Sequence, residues 1–246
     1  MPHSLILALT LTPHPLQNDA SEFYDKVLDT LEGQLKGTPQ AKALNEALQG
    51  VMVRQKHCHK CETLTVNARD SYLKLTLECK ENEVEMGSLT ECLDALTAPE
   101  EMTGDNKVNC DVCQEATETS FNVYLDSLPP LLVIHPKRFA FDMNTFQTVK
   151  LNHRITFPAT LDMSPYTQEG MRARLEEQEE GTGTSGPDRH EVSPILYDLI
   201  GVVVHRGRAG AGHYYSFVKH AGDEWVKLND DKAWPKPLPE ARLHTR

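Results

Sequence analysis

The part of the sequence that decides the fold lies near its end, in residues 199–204 (LIGVVV), 212–218 (GHYYSFV) and 225–230 (WVKLND). The first is a continuous apolar run, which is typical of a strand buried on both faces. The other two lie on either side of residues 221–223 (AGD), whose residue types favour a turn. Three neighbouring strands are therefore predicted in this part of the chain.

The histidine of this segment is a candidate general base. Small residues precede His213 and would let a ligand backbone approach closely. A strand pair that turns at 221–223 would bring Asn229 or Asp230 beside the imidazole, and a general base needs such a partner to fix its tautomer. A histidine within a strand is more often a hydrogen-bonded structural residue, so the residues alone leave both roles open.

Upstream, the sequence predicts helices first and mostly antiparallel strands afterwards. Asp19 and Glu22 are spaced as a capping box at the start of a helix that ends near Lys36 and Gly37. Apolar periodicity and a second capping box predict the other elements: a weaker helix over 40–48, strands around 73–77 and 121–125, a short helix over 88–96, and over 131–134 a second continuous apolar strand buried on both faces. The fold class is therefore α+β.

One segment, residues 167–193, departs from these patterns. It carries seven acidic side chains and four glycines but few apolar residues, so it buries too little surface to offset the entropy cost of ordering. We expect a flexible, acidic surface insertion between two strands. The alternative assigns the segment a specific function, as an acidic loop that recruits a partner.

Length and charge limit the classes of partner. A chain of 246 residues can form one large domain with its own core. Its formal charge is −11, from 25 basic and 36 acidic side chains. This charge is unfavourable for binding phosphate backbones, so no nucleic acid partner is predicted. Binding of a basic peptide is compatible with the charge. The apolar run at 5–11 is too short to span a bilayer and lacks the basic start of a signal peptide, so no membrane association is predicted.

Four of the six cysteines form two C-x-x-C pairs, Cys58 with Cys61 and Cys110 with Cys113. Each pair can place two sulfurs on one tetrahedral ion, and two hairpins that meet at their tips would join the pairs. We therefore predict a structural zinc site in a chain that works in a reducing compartment, the cytoplasm or the nucleus. Four reduced, unliganded thiols are the alternative. His57 and His59 are possible substitute ligands, but four thiolates already complete a closed site, so we expect both histidines to be bystanders.

Several pieces of sequence, in the same order, resemble the ubiquitin-specific protease family. They are residues 17–23 (QNDASEF), the two C-x-x-C pairs, residues 128–139 (LPPLLVIHPKRF), and residues 197–207 (YDLIGVVVHRG) leading into 212–214 (GHY). The similarity runs from about Leu16 to the end of the chain. Around His213 it is closest to the large fat-facets type of member.

The resemblance implies a papain-like cysteine proteinase fold that grips ubiquitin. Within a partial catalytic domain over 1–246, residues 1–50 would be a thumb remnant, 51–127 the zinc-bearing fingers, and 128–246 an antiparallel palm. A loop over 206–212 is similar to the glycine-rich loop that covers the ubiquitin tail in the family.

The family's reaction is hydrolysis of the isopeptide bond at the ubiquitin C-terminus by a Cys-His-Asn/Asp triad. The resemblance therefore implies that His213 is the general base, Asn229 its orienting residue and Asp230 a secondary polar partner. Ubiquitin and ubiquitinated proteins would be the partners. Since His135 and His205 lie on apolar strands, we expect both to be structural.

The family's nucleophile lies in an N-x-G-N-x-C segment that does not occur in these 246 residues. Cys79 follows a predicted strand and Cys92 lies on a predicted helix, so neither is expected near the base. We therefore expect the chain as given to be inactive. Three hypotheses remain: a deubiquitinase whose N-terminal part lies outside this sequence, a pseudo-protease that serves as a ubiquitin-binding or scaffold module, and an unrelated zinc-stabilised binding domain.

Overall fold

The computed structural model describes residues 19–81, 84–143, 145–179, 192–220, 222 and 224–236. Within these ranges the helices are α1 (Ala20–Leu35), α2 (Ala43–Leu48), α3 (Leu89–Thr97) and α4 (Gln168–Glu179), with 3-10 turns at Gly104–Asn106 and Ser164–Tyr166. The strands are β1 (Gly50–Cys58), β2 (Leu64–Tyr72), β3 (Leu75–Glu78), β4 (Lys80–Glu81), β5 (Val84–Glu85), β6 (Glu100–Met102), β7 (Val108–Cys110), β8 (Glu115–Thr117), β9 (Thr119–Ser127), β10 (Ile134–Lys137), β11 (Phe139–Asp142), β12 (Gln147–Lys150), β13 (Thr160–Asp162), β14 (Leu196–Asp198), β15 (Gly201–Arg208), β16 (Ala211–Lys219), β17 (Trp225–Asn229) and β18 (Lys232–Pro235).

Two four-stranded antiparallel sheets organise the chain. The knuckle sheet has the order β2-β1-β9-β6, and the histidine sheet has the order β15-β16-β17-β18. The smaller sheets are the pairs β4-β5, β7-β8, β11-β12 and β13-β14, which are antiparallel, and β3-β10, which is parallel. The prediction of an α+β chain with mostly antiparallel strands is therefore confirmed.

The main core lies between α3, β3, β9 and the segment 155–166. Leu77, Leu93 and Leu125 are almost fully buried there, together with Met163. The predicted capping box positions α3, because the Ser88 hydroxyl accepts a hydrogen bond from the Glu91 amide at 3.1 Å. The range 51–127 expected for the fingers thus also contains β3 and α3, which pack in the core.

Helix α1 begins where its capping box predicts. The Asp19 side chain accepts hydrogen bonds from the amides of Ser21 at 2.8 Å and Glu22 at 3.3 Å. The helix ends before Gly37, whose positive φ of 79° suits a helix C-terminus. The apolar side chains of this helix differ in burial: Leu28 is buried, Phe23 is 42% exposed, and Ala20, Val27, Leu31 and Leu35 are half-buried.

The expected strand at 131–134 is wrong. The strand begins at Ile134, and Leu131 is 41% exposed. Two prolines precede the run and cannot donate hydrogen bonds. The backbone groups that follow therefore form single hydrogen bonds with different neighbouring segments and not a continuous strand pairing. The Leu131 amide donates to the Ala47 carbonyl at 3.0 Å, and the Val133 carbonyl accepts from the Leu75 amide at 2.8 Å.

The apolar run at 199–204 does form a strand, but it is not buried on both faces. The strand begins at Gly201, and Val204 is buried while Val203 is 63% exposed. Alternate residues of a strand face opposite sides of a sheet, and this sheet is antiparallel with one open face among the described residues. The two strands predicted on either side of residues 221–223 are β16 and β17, which pair with Val218 opposite Val226.

The segment 167–193 does separate two paired strands, β13 and β14. The expectation that it is flexible throughout is wrong for its first half, which forms α4. This helix is held by Arg174, which bonds the Asp94 carboxylate at 3.2 Å and lies over the Tyr166 ring. Residues 180–191 lie outside the described residues.

Candidate catalytic cleft and metal centre

The histidine sheet brings the predicted base and its partner together. Strand β16 carries His213, and Asn229 ends β17, so the hairpin places His213 Nε2 2.5 Å from Asn229 Oδ1. An amide oxygen only accepts hydrogen bonds, so this contact places the proton on Nε2 and leaves Nδ1 free to act as a base. Asp230 Oδ2 lies 3.8 Å from Nε2, too far for a hydrogen bond.

An apolar groove of about 550 Å³ adjoins this pair. Helix α1 and the histidine sheet form its two walls, and its main apolar residues are Ala20, Phe23, Val27, Val203, Tyr215 and Leu228. Asn229 and Asp230 lie at the same groove. His213 is not one of the lining residues, so the pair touches this groove through Asn229.

No cysteine lines this groove, although all six cysteines fall within the described residues. Four of them gather at the end of the knuckle sheet. Cys79 and Cys92 are buried in the main core, as expected from their positions in the sequence. None of the six is among the groove residues beside His213.

A second, polar groove of about 390 Å³ begins at the N-terminus of α1. Asp19, Ser21 and Glu22 form one wall, and the opposite wall comes from the β11-β12 hairpin and the turn at 209–211. The grooves meet at Tyr214, whose side chain lines both. The polar groove therefore continues into the apolar groove that Asn229 lines, while His213 itself lines neither groove.

Tyr214 joins α1 to β16, the strand that carries His213. Its hydroxyl donates to Asp19 Oδ2 at 2.9 Å. Burial alone would raise the pKa of Asp19, but hydrogen bonds from Tyr214 and from the Ser21 and Glu22 amides lower it. Burial, followed by the bond to Asp19, raises the pKa of Tyr214 to about 12, so Tyr214 remains a donor at neutral pH. The sequence predicted Asp19 as a helix cap, but nothing in the sequence predicted this second bond.

His135 and His205, expected to be structural, both line the polar groove. Burial lowers the pKa of each imidazole, which favours the neutral form. The His205 ring packs against Phe139, with centroids 5.4 Å apart, and against Tyr214, with centroids 4.6 Å apart. Through these contacts His205 packs between the β11-β12 hairpin and β16.

The four cysteines of the C-x-x-C pairs form a candidate metal centre. Cys58 Sγ lies 3.9 Å from Cys113 Sγ, and Cys61 Sγ lies 3.7 Å from Cys110 Sγ. Four sulfurs on a tetrahedral ion at bond lengths of about 2.3 Å are separated by about 3.8 Å, so the cluster has the size that zinc requires. All four sulfurs lie within 4.8 Å of one another, and together they can hold a metal ion.

Two hairpins build this centre, as predicted. The turn between β1 and β2 carries one pair, and the β7-β8 hairpin carries the other. In each hairpin the residue after the second cysteine has a positive φ, 56° at Glu62 and 57° at Gln114. The Thr117 hydroxyl lies 3.2 Å from Cys58 Sγ, and this hydrogen bond is the main cause that lowers the pKa of Cys58 to about 5.

Solved structures with this arrangement are deubiquitinases. The chain superposes on Ubp8 in a SAGA DUB module with Sgf11, Sus1 and Sgf73 bound to monoubiquitin, with a TM-score of 0.74, 25% identity, and coverage of 94% of this chain and 47% of that chain. The same module bound to ubiquitin aldehyde gives a TM-score of 0.75 and 25% identity, with coverage of 94% and 48%. The fold is therefore the papain-like fold of this class of enzymes, as the sequence motifs implied.

The family follows from the sequence comparison. A model of the ubiquitin carboxyl-terminal hydrolase family matches residues 4–239, and the chain belongs to this family. Ubiquitin carboxyl-terminal hydrolase 24 of Homo sapiens is 33% identical over 229 residues, with coverage of 87% of this chain and 8% of that protein. The probable ubiquitin carboxyl-terminal hydrolase FAF of Drosophila melanogaster is 31% identical over 233 residues, with coverage of 93% and 8%.

The chain thus spans less than a tenth of the length of these relatives, since the matched region is 8% of each. The similarity to FAF agrees with the fat-facets type of sequence around His213. Among the helices in the described ranges, none has the length and apolar character needed to cross a membrane.

Proposed function

We propose that this chain is the part of a deubiquitinase-type thiol hydrolase domain that binds ubiquitin and supplies the general base. The observation that carries the proposal is the 2.5 Å contact between His213 Nε2 and Asn229 Oδ1, the second of which lines the apolar groove. In this role, Nδ1 of His213 takes the proton of a cysteine thiol, while Asn229 holds the ring and its tautomer. Asp230 is a secondary polar partner.

The bond to be cleaved is the isopeptide bond at the ubiquitin C-terminus, and the partners are ubiquitin and ubiquitinated proteins. Two solved relatives are bound to monoubiquitin and to ubiquitin aldehyde, which supports this assignment. The polar groove supports it as well. Asp19 and Glu22 on one wall can pair with basic side chains of an extended peptide, although Lys137 and Arg138 also line the groove. The glycine and alanine residues at 209–211 leave room for the peptide backbone.

Hydrolysis also requires a thiolate beside His213. Because no cysteine lines either groove, we propose that the nucleophile is supplied from outside these 246 residues. The same observation favours a second candidate function, a module that binds ubiquitin without cleaving it. The two candidates share the binding step and differ only in whether a thiol is brought to the base.

The metal of the knuckle sheet is, in this proposal, a structural zinc ion. Cys58, Cys61, Cys110 and Cys113 would complete its tetrahedral shell, which leaves no position for a reactive water. Free thiols that bind zinc persist in reducing compartments, so we propose that the chain works in the cytoplasm or the nucleus.

Binding of ubiquitin to the zinc-loaded chain tests the first step. We expect saturable binding in a calorimetric titration, and Glu22→Lys should weaken it about tenfold, or roughly 1.4 kcal/mol, because it places a cation in the polar groove. Glu32→Lys, near the other end of α1, is the matched control and should bind like the unaltered chain. Absence of binding, or equal weakening by both variants, would contradict the proposal.

The chain alone should not cleave a ubiquitin–fluorophore conjugate. Cleavage that disappears in His213→Ala would show that a thiol within these residues reaches the base, contrary to the proposal.

A further inference from the structure

Lys150, the last residue of β12, makes an unusual pair of hydrogen bonds. Its Nζ donates to the carbonyl of His205 at 3.0 Å and to the carbonyl of Gly207 at 3.0 Å. Both acceptors belong to β15, which is an edge strand of the histidine sheet. Carbonyls two residues apart on a strand face the same side. One ammonium therefore donates to two successive carbonyls on the outer edge of β15, where no further strand pairs.

The two segments that Lys150 joins form the same wall of the polar groove. Phe139 and Thr148 of the β11-β12 hairpin line it, and so do residues 209–211 in the turn between β15 and β16. Each hairpin is held together by its own strand pairing. Lys150 adds a charged polar bridge between them, beside the ring contact of Phe139 with His205.

The backbone around the Gly207 carbonyl requires glycine at two positions. Gly207 has a φ of 128°, and a Cβ there would lie 2.6 Å from Gly212 Cα. A Cβ at Gly212 would lie 2.2 Å from His205 Nε2. Because these glycines let the two strands and the His205 ring approach closely, the Gly207 carbonyl is directed to one position, where the ammonium meets it.

We propose that Lys150 is a positioning residue that ties the β11-β12 hairpin to the β15-β16 turn, so that these two parts of one wall of the polar groove keep a fixed position relative to each other. The part of this inference that concerns ubiquitin rests on the proposed function. The bridge itself does not, because it is a property of the free chain. The ammonium is partly buried, and burial, with a smaller effect from the Arg138 guanidinium, lowers the pKa of Lys150. An ammonium without its two carbonyls would be poorly solvated there, so the bonds hold it in place.

Hydrogen exchange of the free, zinc-loaded chain tests the bridge. Lys150→Met keeps the unbranched aliphatic part of the side chain and removes the ammonium with its donors. We expect the amides of residues 206–212 and 139–150 to exchange about tenfold faster in this variant. Lys150→Arg, which restores a cation with several donors, should bring the rates back to within about threefold of the unaltered chain.

Two controls make each outcome decisive. Lys232→Met, on the exposed edge strand β18, should leave both segments unchanged. Amides of β1 and β9 in the knuckle sheet should exchange at the original rate in every variant. Unchanged exchange at 206–212 in Lys150→Met overturns the proposal, and so does faster exchange that extends equally to the knuckle sheet, because that reports general loss of stability.

Ubiquitin binding separates this proposal from the proposed function. If the unaltered chain binds ubiquitin, Lys150→Met should weaken binding about tenfold and Lys150→Arg should restore it. If the unaltered chain does not bind ubiquitin, the proposed function is wrong, and the exchange rates still decide whether Lys150 ties the loops. Binding that is equally strong in Lys150→Met removes the positioning role.

Discussion

At the scale of single residues, the contact between His213 and Asn229 assigns a different role to each ring nitrogen. Asn229 Oδ1 accepts from Nε2, which leaves Nδ1 as the free base nitrogen. Asp230 is adjacent in sequence, but at 3.8 Å it contributes charge without a hydrogen bond. Sequence spacing alone left open which of the two residues orients the imidazole, since one residue along a turn reverses the direction of a side chain.

This geometry predicts the tautomer of His213. Nitrogen-detected NMR at pH 8 should show the Nε2–H form as the dominant neutral tautomer. Asn229→Ala should move the ring toward a mixture of the two tautomers, because the acceptor that selects Nε2–H is removed. Asp230→Ala is the control and should keep the original tautomer. A dominant Nδ1–H form in the unaltered chain, or a change in Asp230→Ala alone, would contradict the assignment of Asn229.

Residue pairs that are far apart in sequence were the ones that could not be predicted. Tyr214 and Asp19 are separated by 195 positions, and neither shows a pattern that would indicate their hydrogen bond. The bridge from Lys150 to β15 likewise depends on where two hairpins meet. By contrast, the cysteine pairs have a fixed local spacing that follows from metal-ligand geometry, so their grouping was predictable.

At the scale of elements, local hydrogen-bonding patterns were predictable, whereas burial was not. The starts of α1 and α3 follow from capping boxes, in which every partner lies within three residues. The apolar runs at 131–134 and 199–204 predicted burial on both faces, but burial depends on which other segments cover a strand. Prolines interrupt the first run, and the second belongs to a sheet with an open face.

Helix α4 shows how one small residue can anchor an element with few apolar side chains. Gly170 lies against the backbone of residues 164–165, and a Cβ there would lie 2.0 Å from the Ser164 carbonyl oxygen. The acidic composition of this segment favoured flexibility, but composition cannot show such a close approach. The glycine and Arg174 together hold the first turns of α4 beside the 3-10 turn at Ser164–Tyr166.

A matched pair of glycine substitutions tests this anchor. Gly170→Ala should lower the free energy of unfolding by about 2–3 kcal/mol, because the added methyl group forces α4 away from residues 164–165. Gly33→Ala, inside α1 with nothing within 4 Å of the new Cβ, should raise it by roughly 0.5–1 kcal/mol. Urea unfolding followed by circular dichroism measures both. Equal effects of the two substitutions would show that Gly170 has no packing role.

At the scale of the whole molecule, each functional part joins segments that lie far apart in the sequence. The polar groove combines the start of α1, the β11-β12 hairpin and the turn at 209–211. The metal centre combines two hairpins whose first cysteines, Cys58 and Cys110, are 52 residues apart. The order of motifs along the chain indicated the family and the α+β fold. The shape of the grooves depends on contacts between those motifs.

The metal centre joins two hairpins that are far apart in the sequence, so zinc should contribute to the stability of the chain. The knuckle sheet contacts the core through β9. The β7-β8 hairpin is joined to the β1-β2 hairpin at the cysteine cluster, by the ion pair of Lys60 with Glu115, and by Lys56, whose Nζ donates to the Asn109 carbonyl at 2.5 Å. In the absence of metal, four thiols crowded within 4.8 Å of one another must stay protonated or repel. Metal binding therefore favours the folded hairpins over the open chain.

Metal analysis of freshly reduced protein should find one zinc ion per chain, and a strong chelator should lower the Tm by about 10 °C or more. Cys110→Ser should lose the ion and melt at the lower temperature without chelator. Cys92→Ala, which alters a buried cysteine outside the cluster, should keep one ion per chain. If Cys110→Ser retains stoichiometric zinc, or if the chelator leaves the Tm unchanged, the four sulfurs do not form a structural metal site, and the 3.7–3.9 Å spacings reflect only the packing of two hairpin turns.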